Sequence, residues 1–277
     1  MSWLPTPRAV VVCLLLAAAT GASPQDVPKS TEGPRGDTSR PVFMGAPSGH
    51  ETLDYAIEWR LIPAGTAKLS WAALPGSASS GSSGGPASEL RLHLESAGLV
   101  SRLFRVSDDY TASLGRDLCA QSTFLSAHEG NRTKETRVVF DAGTHKAGYV
   151  EKDLVKNSTV NHEVEIPSCV HDVMGALLVL RNLRLEPGKT AQIPLSDGKK
   201  FVQAKVESQR REEIKTDLGT FKTIRYEVFI FDNVLFKRSG HLHIWLTDDD
   251  WRLPVQLQVH FQITIGTITF RLEKQDK

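Results

Sequence analysis

An apolar segment near the middle of the chain constrains the fold most. Every residue in 173–180 is apolar or glycine, inside a longer stretch, 167–183, that has the pattern of a helix. Ser168 is a suitable N-cap, and Asp172 lies near the positive end of the predicted helix dipole. A surface helix has one apolar stripe, whereas a helix that is apolar nearly all round needs cover on most sides. The rest of the chain must therefore form a shell around this helix.

Alternating strands supply that shell. Alternation of apolar and polar residues is typical of a strand with one buried and one solvated face. Segments with strand character lie at 53–60, 89–95, 103–114, 121–128, 134–141, 144–151, 200–210, 226–230, 242–246, 255–263 and 267–272. On the order of a dozen strands with short connections favour antiparallel pairing. We therefore predict a mainly β fold: a large antiparallel open or half β-barrel wrapped around one principal helix at about 170–183. A sandwich with the helix plugging one end is the alternative.

The first residues have the pattern of an export signal. Arg8 precedes the apolar, uncharged run 9–22, and small residues before Ser23 suit cleavage there. The run is shorter than the roughly 20 residues that a membrane-spanning helix needs. We expect a signal peptide at 1–22, a disordered Pro-rich linker at 23–50 and a single β-rich domain at 51–277. An uncleaved anchor or a buried helix is the alternative for the first segment.

Two cysteines follow the predicted signal, Cys119 and Cys169. An even number of cysteines in an exported chain favours a disulfide. A closed loop of about 50 residues would contribute roughly 4 kcal/mol of stability through chain entropy. Two buried free thiols are the alternative interpretation.

Known catalytic motifs are missing from the sequence. It has no G-x-S-x-G elbow, no H-E-x-x-H, no C-x-x-C and no Walker or Rossmann glycines. Cys169 and His171 are close in sequence, but residues two apart on a helix face different directions. We therefore assign no catalytic residue and no cofactor, and we expect a protein that is not an enzyme. The net charge of +1 gives no reason to expect a nucleic acid or an anionic membrane surface as partner.

A metal site is one interpretation of a histidine pair near the carboxyl end. His241 and His243 share a face of a predicted strand, and Asp248, Asp249 and Asp250 follow closely. A solvated strand face followed by an Asx-type turn explains the same pattern and is favoured. No metal ligand is therefore assigned.

Several short segments occur in a characteristic order along the domain. They are Tyr55-Ala56-Ile57-Glu58-Trp59 with Pro63-Ala64-Gly65, Leu103-Phe104-Arg105-Val106 with Asp108, Asp172 through Leu180-Arg181, Leu185-Glu186-Pro187-Gly188, Arg211-Glu212 with Gly219-Thr220-Phe221, Ile244-Trp245-Leu246-Thr247-Asp248-Asp249, Arg252-Leu253-Pro254-Val255 and Gly266-Thr267-Ile268. Together they resemble a family of exported bacterial proteins, domain of unknown function 3108. The resemblance implies an exported, mainly β protein without an assigned activity, located in the periplasm or, alternatively, outside the cell. In architecture alone, the predicted fold is similar to the periplasmic carriers of lipoproteins.

A curved sheet around a helix can leave an apolar slot, which Met174, Leu177 and Leu178 would line. Plain core packing is the alternative for these residues.

Export, the missing catalytic motifs and the enclosed helix favour a carrier or sensor for a lipid, an acyl chain or a lipoprotein of the cell envelope. Such a carrier would need a cavity of about 300 Å³ or more. The second hypothesis is an envelope structural or assembly protein that acts through surface contacts with other proteins. The third is an enzyme of unfamiliar type, with polar residues of perturbed pKa in a cleft.

Overall fold

The structure, a computed structural model, describes residues 49–74, 86–261 and 266–276. The predicted signal peptide and the linker up to residue 48 lie outside the described residues. The strands are β1 (His50–Trp59), β2 (Ile62–Ala73), β3 (Ser88–Ser96), β4 (Val106–Leu114), β5 (Ala120–Glu129), β6 (Arg132–Asp141), β7 (Lys146–Asp153), β8 (Ser158–Glu165), β9 (Thr190–Ser196), β10 (Phe201–Thr216), β11 (Gly219–Val228), β12 (Gly240–Thr247), β13 (Pro254–Phe261) and β14 (Gly266–Asp276). The helices are α1 (Gly98–Leu103) and α2 (Gly175–Leu183).

All these strands belong to one antiparallel sheet. It has 14 strands in the order β8-β7-β6-β5-β4-β3-β2-β1-β14-β13-β12-β11-β10-β9. The strands β1 to β8 and the strands β9 to β14 each form a meander, and the pairing of β1 with β14 joins the two. Because β8 and β9 are both edges, the sheet stays open. The prediction of a mainly β, open antiparallel barrel is confirmed, and a two-sheet sandwich is excluded.

The segment 168–172 links the two halves of the sheet across the open side. The amide of Ala120, at the start of β5, donates a hydrogen bond to the carbonyl oxygen of Val170 at 2.8 Å. The amide of His171 donates to the carbonyl oxygen of Pro194, in β9, at 2.9 Å. The segment therefore uses its backbone groups on both sides, as a strand does.

Because of this link, α2 begins later than the sequence pattern indicates. The helix starts at Gly175, and Ser168 is not its N-cap. The side chain of Asp172 satisfies the first helical amides instead, since its Oδ2 accepts from the amides of Met174 and Gly175, both at 3.0 Å. The hydroxyl of Tyr110 donates to the same oxygen at 2.7 Å. Glycine at position 175 leaves room for this carboxylate, because a Cβ there would lie 2.5 Å from Asp172 Oδ1 and would force it to shift.

The sheet encloses α2, as expected for a helix that is apolar nearly all round. Leu178, Val179 and Leu180 are each only 1% exposed. Neither helix in the described part of the chain is long and apolar enough to cross a membrane. The consequence for function is that α2 and the concave face of the sheet share one apolar interior.

Candidate functional site

An apolar slot of about 100 Å³ lies between α2 and the concave face of the sheet. On the helix side it is lined by Val173, Met174, Ala176, Leu177 and Leu180. The sheet contributes apolar side chains from both of its halves, among them Leu69, Leu94, Ile193, Val228, Ile244 and Leu257. Of the residues that line the slot, Tyr55 alone has a polar side-chain atom, and its hydroxyl donates to the carbonyl oxygen of Pro254 at 2.8 Å. The slot therefore offers an apolar surface to a ligand, and no side chain in its lining has an unbonded polar group.

Two of the three residues proposed for such a lining are there. Met174 and Leu177 line the slot, together with Leu180, as the three-residue spacing of one helix face requires. Leu178 is not in the lining; it is buried in the core on another side of α2.

The slot is also smaller than the roughly 300 Å³ expected for a carrier of a lipid, an acyl chain or a lipoprotein, which counts against a carrier that encloses its whole ligand. The physical reason is that Met174, Leu177 and Leu180 project from α2 into the space that the curved sheet encloses. An apolar cavity of roughly 150 Å³ holds one benzene ring. The volume of the slot is enough for the end of one apolar chain. A bulkier ligand would have to displace side chains.

A second cavity, of about 60 Å³, is more polar. Val173 lines both cavities. Tyr149 and Lys199 line the second cavity, and both contact Glu151: the hydroxyl of Tyr149 donates to Glu151 Oε2 at 2.6 Å, and the Lys199 ammonium lies 3.7 Å from the same oxygen. Burial raises the pKa of the Tyr149 phenol well above its usual range, with the bond to Glu151 adding to the effect. Tyr149, Glu151 and Lys199 satisfy one another, whereas Oδ1 of Asp172, which also lines the cavity, is buried without a hydrogen-bond partner among the described residues. The space is large enough for water.

Two acids with raised pKa values, Asp108 and Glu129, lie outside both cavities. Burial raises the pKa of Glu129 to about 7, and the negative charge of Asp108 adds to the effect. Burial likewise raises the pKa of Asp108 to about 6, although the amide of His128 donates to its Oδ1 at 2.9 Å. Neither acid lines the apolar slot or the polar cavity. They therefore give no support to the hypothesis of an enzyme with perturbed acids in a cleft.

The raised pKa values of Asp108 and Glu129 predict how the stability of the protein depends on pH. Their pKa values in the folded protein exceed those of an unfolded chain, so the folded state binds the protons more tightly. Raising the pH from about 4 to about 7 must then cost stability, and above about 7 the cost is constant. The double variant D108N/E129Q cannot ionise at these positions. Its free energy of unfolding, relative to wild type, is expected to rise between pH 4 and 7 in urea titrations. The same difference at pH 4 and at pH 8 would contradict this.

The histidine pair of β12 does not meet the aspartates that follow it. Asp248 Oδ2 accepts from Arg211 Nε at 2.7 Å. The imidazoles of His241 and His243 instead approach Glu227, at 2.8 Å from Oε1 and 3.7 Å from Oε2. Asp249 Oδ1 accepts the amides of Trp251 and Arg252, which is the Asx-type turn favoured by the sequence. Sequence reasoning missed Glu227 because it lies on a neighbouring strand, far away along the chain.

Cys119 and Cys169 form a disulfide, with their Cα atoms 5.1 Å apart. Among the described residues, one group of three or more His, Cys, Asp or Glu ligand atoms lies within 4.8 Å, namely Asp117, Cys119 and Cys169. The disulfide occupies both sulfur atoms of this group. His171 is 2% exposed, its Nδ1 lies 2.8 Å from the carbonyl oxygen of Leu118, and burial lowers its pKa. Cys169 therefore lacks the free thiol that a nucleophile needs.

Three solved structures are similar to the chain. A β-barrel-like protein of the DUF1849 domain from Brucella abortus is 10% identical, with 82% of this chain and 97% of that chain covered and a TM-score of 0.49. A protein of YmcC-like fold from Bacteroides fragilis is 12% identical, with coverages of 85% and 99% and a TM-score of 0.30. A DUF1089 family protein from Pseudomonas aeruginosa is 10% identical, with coverages of 82% and 95% and a TM-score of 0.30.

No curated protein matches the chain in sequence. The model of the family described as protein of unknown function (DUF3108) matches residues 54–273, which is most of the chain. The match runs from β1 to β14 and includes both helices and the residues that line the slot. The chain therefore belongs to the DUF3108 family.

Proposed function

We propose that this protein is an exported binding module of the cell envelope, and that it takes the end of an acyl chain into the slot between α2 and the sheet. The acyl chain would belong to a lipid or to a lipoprotein. One observation carries the proposal: the slot is lined by apolar side chains from the helix and from both halves of the sheet, and its one hydroxyl is already bonded.

The physics of the slot sets the expected specificity. Each methylene group that leaves water for an apolar site contributes about 0.8 kcal/mol, which is roughly a fourfold gain in affinity. Because the slot is only about 100 Å³, this gain must stop after a few carbons have entered. Met174 lies in the lining and is only partly buried, and its unbranched thioether can adapt to chains of different width.

The proposal is tested with straight-chain fatty acids from hexanoate to dodecanoate, titrated into the full chain by isothermal calorimetry. We expect one site per chain, an affinity that rises with chain length and then levels off, and a negative heat-capacity change of binding. Absence of dodecanoate binding to the wild-type protein would overturn the proposal.

A matched pair of variants locates the site. Ala176 lines the slot, so Ala176→Phe is expected to fill it and to weaken dodecanoate binding at least tenfold. Ala73 is exposed on β2, so Ala73→Phe adds the same ring outside the slot and should leave the affinity unchanged. Thermal unfolding shows that each variant is folded before the titration. Equal binding by folded A176F and A73F would place the fatty acid elsewhere.

A further inference from the structure

A cluster of imidazole and carboxylate groups lies on the outer face of the sheet. Leu242 and Ile244 point into the apolar slot. Their neighbours His241 and His243 therefore project from the opposite, solvent-facing side of β12, because side chains alternate along a strand. The side chain of His241 is 47% exposed and that of His243 is 19% exposed. An ion in solvent can reach both.

The sheet register brings other ligand types to the pair. Glu227 on β11 lies directly opposite His243. His260 on β13 lies directly opposite His241. Cβ atoms of such opposite residues are about 5 Å apart, close enough for the side chains to share one ion. Imidazole and carboxylate together are ligands that zinc and other divalent transition metals take.

The Glu227 carboxylate lies within reach of both imidazoles, but the two imidazoles must move closer to each other before one ion can contact all three groups. Ligand atoms at about 2.1 Å from a tetrahedral zinc ion are about 3.4 Å apart. The Nδ1 of His241 lies 2.8 Å from Glu227 Oε1, and the Nε2 of His243 lies 3.7 Å from Oε2. The two rings are nearly parallel, at 16°, with their centres 6.3 Å apart. Since two imidazoles on one zinc have ring centres about 5 Å apart, the rings must approach by about 1 Å. The exposure of His241 permits that movement.

Neighbouring side chains already orient these groups. Gln209 Nε2 donates to Glu227 Oε2 at 2.7 Å, which fixes the carboxylate. Arg225, on the same face, donates from Nε to Gln209 Oε1 at 2.5 Å and lies 3.9 Å from Glu212, so its charge is partly balanced. The Nδ1 of His260 is 2.9 Å from Thr267 Oγ1, which leaves its Nε2 as a possible fourth ligand. Such outer contacts are the ones that hold metal ligands in place.

We propose that His241, His243 and Glu227 bind a divalent transition-metal ion, with zinc as the representative, on the outer face of β11 and β12. The fourth position is filled by His260 or by water. This site is separate from the slot, and it does not depend on the proposed function.

The test is a zinc titration of the full chain by isothermal calorimetry at pH 7.5, without an affinity tag. All proteins carry Cys13→Ser, so that the disulfide cysteines are the only ones left. We expect one zinc ion per chain, no binding at this site in H241Q/H243Q, and an affinity at least tenfold lower in E227Q. His93→Gln is the matched control, because His93 lies 2.8 Å from Asp109 and 3.9 Å from Glu95 and thus contacts carboxylates at another place on the sheet.

Zinc X-ray absorption adds a structural readout: a bound ion should show two or three imidazole nitrogens at about 2.0–2.1 Å. The proposal is overturned if the parent protein binds no zinc, or if H241Q/H243Q binds it as tightly as H93Q does. A loss of binding in H93Q that equals the loss in H241Q/H243Q would also overturn it. Thermal unfolding of each variant shows that it is folded before the titration.

Discussion

Replacing Arg181 with methionine is expected to lower the free energy of unfolding by about 3–5 kcal/mol, because it leaves a buried carboxylate without its counter-charge. Arg181 Nη1 donates to Glu51 Oε2 at 2.9 Å, and the two side chains are only 10% and 9% exposed. Methionine keeps much of the apolar volume of the side chain. The loss therefore reports the uncompensated charge of Glu51 more than it reports a cavity.

Arg181 also ties the carboxyl end of α2 to several strands at once. Its Nη2 donates to the carbonyl oxygen of Trp251 at 2.9 Å, and its guanidinium carbon lies 4.7 Å from the centre of the Trp71 ring. Glu51 in turn accepts from Gln275 on β14, at 2.5 Å. The ion pair is thus the point at which α2 meets the centre of the sheet, where β1 pairs with β14.

Urea unfolding of matched variants separates this effect from a surface effect. Arg184 and Asp250 make an ion pair of similar length, 2.8 Å, but their side chains are 49% and 89% exposed. Arg184→Met should therefore cost no more than about 1 kcal/mol. The double variant E51M/R181M should be more stable than R181M, because no charge stays buried alone. Equal losses in R181M and R184M would show that the pair is not buried in solution.

The enclosed helix and most of the strands were predictable from the pattern of apolar residues that burial requires. A segment such as 173–180 has no polar face, and β13 has a strict alternation, so burial alone determines their environment. Edge and end effects were not predictable. The strand β8 is exposed at nearly every residue, so its sequence needs no apolar alternation. The start of α2 depends on hydrogen bonds of residues 168–172 to β5 and β9, which are distant along the chain.

The candidate sites show a similar division. Helical spacing is enough to put Met174 and Leu177 on one side of α2, but the volume of the slot depends on how closely the sheet approaches, which no local pattern records. The partner of His243 depends on the register of β11 against β12. A one-residue change of that register would turn Glu227 to the other face of the sheet. Long-range register and curvature are therefore what sequence reasoning lacked here.

Removing the disulfide is expected to lower the free energy of unfolding by about 4 kcal/mol. Cys119 and Cys169 are 50 residues apart in sequence, and the bond restricts that loop in the unfolded chain. The variant C119S/C169S should therefore unfold at a lower urea concentration than wild type. Dithiothreitol should lower the stability of the wild-type protein to a similar extent and leave that of C119S/C169S unchanged. A wild-type protein whose stability is the same with and without reductant would contradict the prediction.

The disulfide and the Arg181 ion pair hold α2 in different ways, and a combined variant tests that difference. The disulfide joins the segment before α2 to residues next to β5 and acts mainly by restricting the unfolded chain. Arg181 acts in the folded state, at the other end of the helix, through Glu51 and Trp251. Because the two share none of these partners, their effects should add. The sum, about 7–9 kcal/mol, is comparable with the total stability of many domains. C119S/C169S/R181M is therefore expected to be largely unfolded in circular dichroism at 25 °C, whereas C119S/C169S/R184M should remain folded. A combined loss well below the sum would mean that the disulfide and Arg181 stabilise one shared contact of α2.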